Sequence, residues 1–147
     1  MSGRRAGIIE LDHGLHIFFD TNILIYALEE NERFPEAVEF FKLKSGQILH
    51  TSALTLMEYS VPAYRSERHD LIVAATSFLR AAHVRIHPIN ERIVLKAASL
   101  RAASKLKPLD ALQLATALTC HADSFVTAVK DFPNREDISV YRLNENY

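Results

Sequence analysis

The sequence predicts an α/β sandwich with a mainly parallel sheet of about five strands. Five short runs rich in β-branched and aromatic residues are separated by segments that have helical spacing of apolar residues. The expected order is strand, helix, helix, strand, helix, helix, strand, helix, helix, strand, strand. Because helices between strands act as crossover connections, this order favours parallel pairing.

The strands are predicted where β-branched and aromatic residues cluster in short runs. In chain order the runs are HIFFD (16–20), QILHT (47–51), VRIHPI (84–89), SFVTA (124–128) and ISVYRL (138–143).

The helices between these runs carry recognisable start signals. Pro35 suits the first helical position of PEAVEFFKLK, and the basic end of that segment suits the helix dipole. Thr51 or Ser52 can cap the helix in TSALTLMEYSVPAY, whereas Asp70 and Asn90 can cap the next two helices. The last predicted helix, PLDALQLATALTCHA, again begins with proline.

The chain length of 147 residues suits one domain with its own hydrophobic core. Apolar residues make up 48% of the chain and charged residues 24%, which is ordinary for a globular protein. No internal repeat or linker divides the sequence. We expect residues 1–15 to form a flexible tail or an edge segment, and residues 16–147 to form a single domain.

Charge and cysteine content restrict the function classes. The formal net charge of −1 argues against a protein that coats DNA, although it allows a local basic rim. No apolar run approaches the roughly 18 residues that span a bilayer, and no apolar export segment follows the basic N-terminus. Cys120 is the only cysteine, which excludes an internal disulfide and favours a cytoplasmic location.

Four carboxylates occur where a parallel sheet would bring side chains to one edge. Asp20 ends the first predicted strand, where a charge beside apolar residues costs free energy unless it is compensated. Glu58 lies among apolar residues in the helix after the second strand, Asp110 lies in the first turn of the last helix, and Asp131 follows the fourth strand. Ligands bind beyond the carboxyl ends of parallel strands, so we expect these acids to converge.

Converging carboxylates favour a hard divalent cation. Their mutual repulsion raises their pKa values, and Mg²⁺ or Mn²⁺ relieves that repulsion through oxygen ligands. Such a site suits hydrolysis of phosphodiester bonds. Taken singly, each Asp could instead be a helix-cap or turn residue.

The seven histidines are scattered along the sequence and are assigned no catalytic role. With no cysteine cluster and no closely spaced histidine pair, the sequence does not predict a zinc site. His50 and His87 lie in predicted strands, where we expect them to be packed or hydrogen-bonded.

Three segments resemble the PIN-domain ribonucleases, most closely the VapC-type toxins of toxin–antitoxin pairs. They are FFDTNILIYAL (18–28), TSALTLMEYSV (51–61) and LKPLDALQLATALTCHADSFVTAVKDF (106–132). The resemblance implies a three-layer α/β/α sandwich, an acidic cluster that binds Mg²⁺ or Mn²⁺, and endonucleolytic cleavage of RNA. It also implies a cognate antitoxin protein as partner and a homodimer.

The resemblance assigns roles to individual residues. Asp20, Glu58 and Asp110 match the first three acids of the family and would serve as catalytic residues and metal ligands. Thr21 and Asn22 match the polar pair that follows the first acid, and Asn22 is expected to orient Asp20. Thr127 matches the Thr or Ser that precedes the fourth acidic position and is expected to support the metal ligands.

The sequence departs from the family pattern after the fourth strand. Many members have an acid or amide two or three residues past the Thr, but this chain reads TAVKD (127–131). Val129 therefore replaces the expected acid, and Asp131 supplements the metal ligands or stands outside the site. One alternative function follows: a PIN-like module that binds RNA or protein and has weak or no nuclease activity.

A second alternative is a phosphatase-like hydrolase with Asp20 as nucleophile. That chemistry usually uses another Asp two residues later as general acid, but this chain has Asn22 at that position. The sequence therefore disfavours this alternative.

Binding of RNA requires cationic contacts with phosphate. The candidates are Lys105 and Lys107 before the last helix and Lys130 beside Asp131, with Arg65 and Arg68 as further candidates. For each residue taken singly, we favour the simpler interpretation of a solvated surface charge.

Three phenylalanines in the first helical hairpin allow two interpretations. Phe34, Phe40 and Phe41 belong to the core, which we favour, or they form a groove for an antitoxin segment.

Overall fold

The computed structural model describes residues 14–42 and 46–143. All but two residues of the predicted tail (residues 1–15) lie outside the described residues, as does the end of the predicted helix PEAVEFFKLK. The proposed division of the chain at residue 15 therefore stays a prediction.

Within these ranges the chain forms five strands and six helices in the predicted order. They are β1 (His16–Phe19), α1 (Thr21–Glu29), α2 (Pro35–Phe40), β2 (Ile48–Ser52), α3 (Ala53–Arg65), α4 (His69–Ala81), β3 (Arg85–His87), α5 (Glu91–Ala102), α6 (Pro108–Thr119), β4 (Ser124–Thr127) and β5 (Ser139–Arg142). None of the helices in the described residues has both the length and the apolar character to cross a membrane.

The five strands form one sheet in the order β3-β2-β1-β4-β5, and every neighbouring pair is parallel. The chain moves outward from β1 in one direction through β2 and β3, and then returns to the other side of β1 for β4 and β5. This change of direction opens a crevice at the carboxyl ends of β1 and β4, where ligands bind in sheets of this kind. The predicted fold class is confirmed.

The two faces of the sheet are covered by separate hydrophobic clusters because successive side chains of a strand point to opposite faces. Ile17 and Phe19 pack into a cluster that includes residues of α1, α2 and α4. Phe18 packs into the other cluster, which includes residues of α5 and α6. This arrangement gives the three layers implied by the resemblance.

The first helical hairpin contributes its aromatic residues to the core. Phe34 and Phe40 are buried, and Phe41 is half-buried with its ring edge against Phe19. The interpretation of these phenylalanines as core residues is confirmed.

Two of the predicted helix caps are confirmed and one is wrong. The hydroxyl of Ser52 accepts a hydrogen bond from the N–H of Leu54, and the side chain of Asn90 accepts one from the N–H of Ile93. Helix α4, however, begins at His69, with Arg68 in the N-cap position. The carboxylate of Asp70 already accepts two hydrogen bonds from the guanidinium of Arg68.

The start of the central strand β1 is fixed by hydrogen bonds to the carboxylate of Asp123. The Oδ2 atom of Asp123 accepts hydrogen bonds from the backbone N–H groups of Leu15 at 3.1 Å and His16 at 2.8 Å. Gly14 has a φ of +78°, and a Cβ at that residue would lie 2.6 Å from the Cβ of Asp123. The start of β1 therefore depends on a residue without a side chain at position 14.

We predict that Gly14→Ala lowers the free energy of unfolding more than Gly46→Ala does. Both glycines have positive φ, which costs a residue with a Cβ about 1–2 kcal/mol. Only Gly14 adds a steric clash, whose relief should cost about 1–3 kcal/mol more, since a Cβ at Gly46 meets nothing within 4 Å. Urea unfolding of both variants measures the difference, and equal destabilisation would contradict the prediction.

Candidate active site

A cleft of about 840 Å³ lies where the sheet topology predicts a ligand site. Its walls come from the start of α1, from α3, from the segment that enters α6 and from the loop after β4. Asn22, Glu58, Asp110, Val129 and Asp131 all line it. The predicted convergence of residues from distant parts of the sequence is therefore seen in the structure.

Asp20 lies directly after β1 and is only 7% exposed. It occupies the N-cap position of α1, but its side chain accepts no capping hydrogen bond from that helix. Its Oδ2 atom instead accepts a hydrogen bond from the hydroxyl of Thr127 at the end of β4. Its Oδ1 atom is buried and accepts no hydrogen bond within residues 14–42 and 46–143. A simple helix-cap role does not explain this carboxylate.

The environment of Asp20 disfavours its ionised form in the absence of a cation. Burial, which is the largest cause, and the charges of Asp110 and Glu58 together raise the pKa of Asp20 to about 7 against the opposing effect of the hydrogen bond from Thr127. The N–H of Ile23 also favours the ionised form, although its hydrogen bond goes to the backbone carbonyl of Asp20 at 3.3 Å. Two other acids therefore lie close enough to affect Asp20.

Glu58 is half-buried on α3 and is held by the residue that follows Asp20. The hydroxyl of Thr21 donates a hydrogen bond of 2.6 Å to Oε1 of Glu58. Because Asp20 and Thr21 are adjacent in the chain, this bond fixes the second acid relative to the first. The polar pair that the resemblance identified thus includes a direct contact to Glu58.

Asp110 lies in the first turn of α6 and borders the cleft. Burial raises its pKa, the charge of Asp131 raises it further, and the charge of Lys107 opposes the shift. Asp131 is exposed on the loop after β4, and Val129 lies between it and Thr127 in the sequence. Asp131 therefore interacts electrostatically with the site at Asp110, while the position expected for a fourth acid presents an apolar side chain to the cleft.

A buried polar network supports these acids, and the sequence analysis did not identify it. The side-chain amide of Gln113 donates hydrogen bonds to the hydroxyls of Thr21 at 3.3 Å and Thr55 at 3.1 Å. Its Oε1 atom accepts a hydrogen bond of 2.6 Å from the hydroxyl of Ser52. Gln113 lies three residues after Asp110, on the same side of α6. It therefore links the helix of the third acid to the helix of the first.

A second part of the network connects β2 to β1. The hydroxyl of Thr51 donates to the backbone carbonyl of Phe19 at 2.9 Å and lies 2.8 Å from the hydroxyl of Thr55. Both threonines are fully buried. One sequence signal could have identified them: a hydroxyl residue near the end of β2, Thr51, and another in the first turn of α3, Thr55, precede Glu58.

Thr127 and Asn22 occupy different places relative to Asp20. Thr127 donates directly to the carboxylate, as the sequence match suggested for a supporting residue. Asn22 lines the cleft, and within the described residues no hydrogen bond joins it to Asp20. Orientation of Asp20 by Asn22 stays a prediction.

The three candidate lysines lie around the cleft. Lys105 and Lys107 line it beside Asp110. Lys130 is exposed on the loop that also carries Asp131. Their placement is compatible with contacts to a polyanion in the cleft.

The two candidate arginines differ from the lysines. Arg68 is engaged by Asp70, with hydrogen bonds of 2.9 and 2.8 Å. Arg65 is exposed in the last turn of α3. Neither contributes to the lining of the cleft.

The structure also assembles a histidine cluster that sequence spacing did not predict. His16, His50 and His87 form a hydrogen-bonded chain, and Cys120 lies beside it. The prediction that His50 and His87 are hydrogen-bonded is confirmed. Sequence spacing gave no support for a zinc site, because the residues of this cluster come from three strands and the end of α6 and are far apart in sequence.

The donor set of the acidic cleft fits a hard divalent cation. It contains carboxylate oxygens, one of which is buried without a hydrogen-bond partner in the described residues. Neighbouring negative charges would destabilise one another without a positive ion. Oxygen donors of this kind are preferred by Mg²⁺ and Mn²⁺.

Comparison with known families gives one match over most of the chain. The family model described as PIN domain matches residues 17–137. No curated protein matches the chain significantly.

Solved structures with the same fold include components of toxin–antitoxin systems. A toxin–antitoxin complex from Klebsiella pneumoniae matches with a TM-score of 0.64 and 28% identity, covering 86% of this chain and 99% of the other. VapBC2 from Rickettsia felis, bound to a DNA fragment from its promoter, matches with a TM-score of 0.68 and 16% identity, covering 88% and 100%. Mycobacterium tuberculosis VapC20, a sarcin–ricin loop cleaving toxin, matches with a TM-score of 0.59 and 19% identity, covering 74% and 86%.

The raised pKa of Asp20 predicts an unusual dependence of stability on pH for the metal-free protein. The folded state holds a proton on Asp20 up to about pH 7, whereas the unfolded chain releases it near pH 4. The free energy of unfolding should therefore fall as pH rises through this window, by up to about 1.4 kcal/mol per pH unit. Asp20→Asn should make the decline shallower, as measured by urea unfolding in chelator.

Asp137→Asn is the matched control for this measurement. Arg135 hydrogen-bonds Asp137 and lowers its pKa, so this carboxylate stabilises the fold at neutral pH and loses that effect as pH falls. The control variant should retain the decline between pH 4 and 7. If Asp20→Asn retained the full wild-type slope as well, the buried Asp20 would not be its source.

Proposed function

The chain belongs to the PIN domain family, and from this membership we propose that it is a metal-dependent endoribonuclease, the toxin of a type II toxin–antitoxin pair. The resemblance predicted from the sequence is thereby confirmed at the level of the family. The metal, the RNA substrate and the antitoxin are parts of the proposal.

One observation carries the proposal: a buried carboxylate oxygen of Asp20 has no hydrogen-bond partner in the described residues, and the charges of two other acids act on it. Burying an unpaired charge is costly, so such a group is retained where a ligand compensates it. The cleft beside it is open to solvent and large enough for several nucleotide atoms. Asp20, Glu58 and Asp110 would hold the cation.

The protein side chains prepare these ligands. The Thr127 hydroxyl engages one oxygen of Asp20 and leaves the other available, and the Thr21 hydroxyl does the same for Glu58. A divalent cation bound there would supply Lewis-acid stabilisation of charge on phosphate and an activated water. Asp110 or Glu58, which both line the cleft, would also accept the proton from the attacking water.

The cationic side chains around the cleft would position the RNA. Lys105 and Lys107 line the wall that also carries Asp110, and Lys130 lies on the opposite loop. Contacts of this type bind the phosphate backbone without reading sequence. Such contacts would hold an RNA strand across the acidic residues.

Two of the similar structures are toxin–antitoxin complexes, and a third toxin is named for cleaving the sarcin–ricin loop. They support the proposal of a cognate antitoxin and an RNA substrate for this chain. Apolar side chains exposed on α3 and α4 also support a protein partner or a second copy in a homodimer. These side chains are Met57, Val61, Tyr64, Leu71 and Val73.

A second candidate function rests on Val129. An apolar side chain lines the cleft where many family members have an acid or amide, which favours a binding module with weak or no nuclease activity. Asp131 lines the same cleft and acts electrostatically on Asp110, which favours the nuclease. Metal binding distinguishes the two, because only the nuclease requires it.

We predict that Asp20→Asn abolishes Mn²⁺ binding at the cleft and lowers the rate of RNA cleavage at least about 100-fold. Loss of a residue that merely supports a metal ligand costs about 10–100-fold, and loss of the ligand itself should cost no less. Isothermal titration with Mn²⁺ and cleavage of a mixed RNA substrate in Mg²⁺ measure both effects. Asp137→Asn, at an exposed carboxylate away from the cleft, should behave as wild type.

Two results would count against this proposal. Cleavage by Asp20→Asn at the wild-type rate would remove the acidic cluster from the chemistry. Failure of the wild-type protein to bind millimolar Mn²⁺ would favour the binding module instead.

We also predict that Lys107→Ala reduces the salt dependence of RNA binding. Each lost phosphate contact should lower the slope of log affinity against log salt by about 1, with little change in sequence preference. Lys96→Ala is the control, since Lys96 is exposed on α5 and does not line the cleft. Filter binding at several salt concentrations, with catalytically inactive Asp20→Asn as the background, measures the slope. An unchanged slope for Lys107→Ala would exclude this contact.

A further inference from the structure

A second group of potential ligands lies away from the acidic cleft, between the sheet and α5 and α6. His16, His50 and His87 come from β1, β2 and β3, the three neighbouring strands at one side of the sheet. Cys120 follows α6 directly and lines the same cavity of about 330 Å³. Four side chains with nitrogen or sulfur donors are thus brought together by tertiary structure.

The histidines form a continuous chain. Nδ1 of His16 lies 2.9 Å from Nε2 of His50, and Nδ1 of His50 lies 2.8 Å from Nε2 of His87. One donor atom each from His50, His87 and Cys120 lie within 4.8 Å of one another. Donors that belong to one tetrahedral zinc centre are separated by about 3.3–3.7 Å, given bond lengths of about 2.0–2.3 Å. Metal binding would therefore require the rings to rotate, with the hydrogen bond between His50 and His87 opening as the ion takes its place.

The histidines are in the protonation state that binds metals. Burial, which is the largest cause, and the neighbouring His87, His16 and Arg85 together lower the pKa of His50 to about 4. Burial and the charge of Arg85 also lower the pKa of His87. Both rings are therefore neutral at physiological pH, and neutral imidazole is the form that binds metals.

We propose that His50, His87 and Cys120 form a binding site for a zinc-like transition-metal ion, with His16 or a water molecule as the fourth ligand. Imidazole and thiolate donors favour such ions, whereas the carboxylates of the cleft favour Mg²⁺ or Mn²⁺. The two sites therefore differ in the class of ion as well as in position.

Proton balance at this site is simple. The Cys120 thiol, whose pKa is raised by burial, donates a weak hydrogen bond to the carbonyl of Ala117. It would release its proton to solvent when the metal–sulfur bond forms, and each imidazole would bind through a lone pair while keeping one N–H. The resulting thiolate also offsets the repulsion between the ion and Arg85, which lines the cavity.

The proposal is tested with Co²⁺ and Zn²⁺ on the full chain, under a reductant that does not bind metals. The Asp20→Asn background prevents binding at the acidic cleft from contributing. One equivalent of Co²⁺ should produce intense thiolate-to-cobalt charge-transfer absorption in the near ultraviolet, and Zn²⁺ should abolish it by competition. Because Cys120 is the only cysteine of the sequence, the band can arise only from this residue.

Variants identify the other ligands. Cys120→Ser should abolish the band and weaken Zn²⁺ binding by about tenfold or more, and His87→Asn should weaken it similarly. His121→Asn is the matched control, because His121 is exposed next to Cys120 and does not line the cavity. Arg85→Ala should tighten Zn²⁺ binding by removing a nearby positive charge.

Two outcomes overturn the proposal. One is the absence of the charge-transfer band when the folded wild-type protein is titrated with Co²⁺, since that measurement needs no substitution and the band can arise only from Cys120. The other is wild-type Zn²⁺ affinity in Cys120→Ser. In either case the histidines would form a hydrogen-bonded chain without a metal.

Discussion

The structure depends on the burial of one carboxylate at the end of the central strand. Asp20 follows β1, whose apolar side chains enter the cores on both faces of the sheet, so this residue cannot move to solvent without displacing the strand. Thr127 stabilises one of its oxygens and no described residue stabilises the other. The fold therefore retains a group whose ionised form is disfavoured until a positive charge arrives, and this is the property expected of a ligand site.

The buried network around Gln113 explains how the acids hold their places. An amide and several hydroxyls in a core are costly unless they are hydrogen-bonded, and here Gln113 uses both ends of its amide on buried hydroxyls. Thr21 belongs to this network and also donates to Glu58. The position of Glu58 is thus coupled to α6, where Asp110 lies, although the two acids come from helices that are distant in sequence.

Much of this arrangement could be predicted from the sequence, and the rest could not for a physical reason. The order of strands and helices along the chain and the convergence of Asp20, Glu58 and Asp110 follow from apolar patterning and from the rule that parallel strands end at one edge. The Gln113 network and the histidine cluster consist of contacts between side chains on different strands and helices. A local sequence pattern does not predict such contacts. The prediction that Asp70 caps α4 was wrong for a local reason. Arg68 binds the carboxylate of Asp70 that would otherwise cap the helix.

The loop after β4 supports Asp20 through a backbone hydrogen bond to Thr127. The backbone N–H of Val129 donates to the Thr127 hydroxyl oxygen at 3.0 Å, and that hydroxyl in turn donates to Asp20. Position 129 thus orients Thr127 through its main chain, which any residue except proline can supply. The hydrogen bond to Thr127 therefore does not depend on the side chain of Val129, which packs against the core that contains Phe125, while Asp131, two residues later, still adds negative charge near Asp110. A valine at position 129, where the resemblance predicts an acid or amide, is therefore compatible with the support of Asp20 by Thr127.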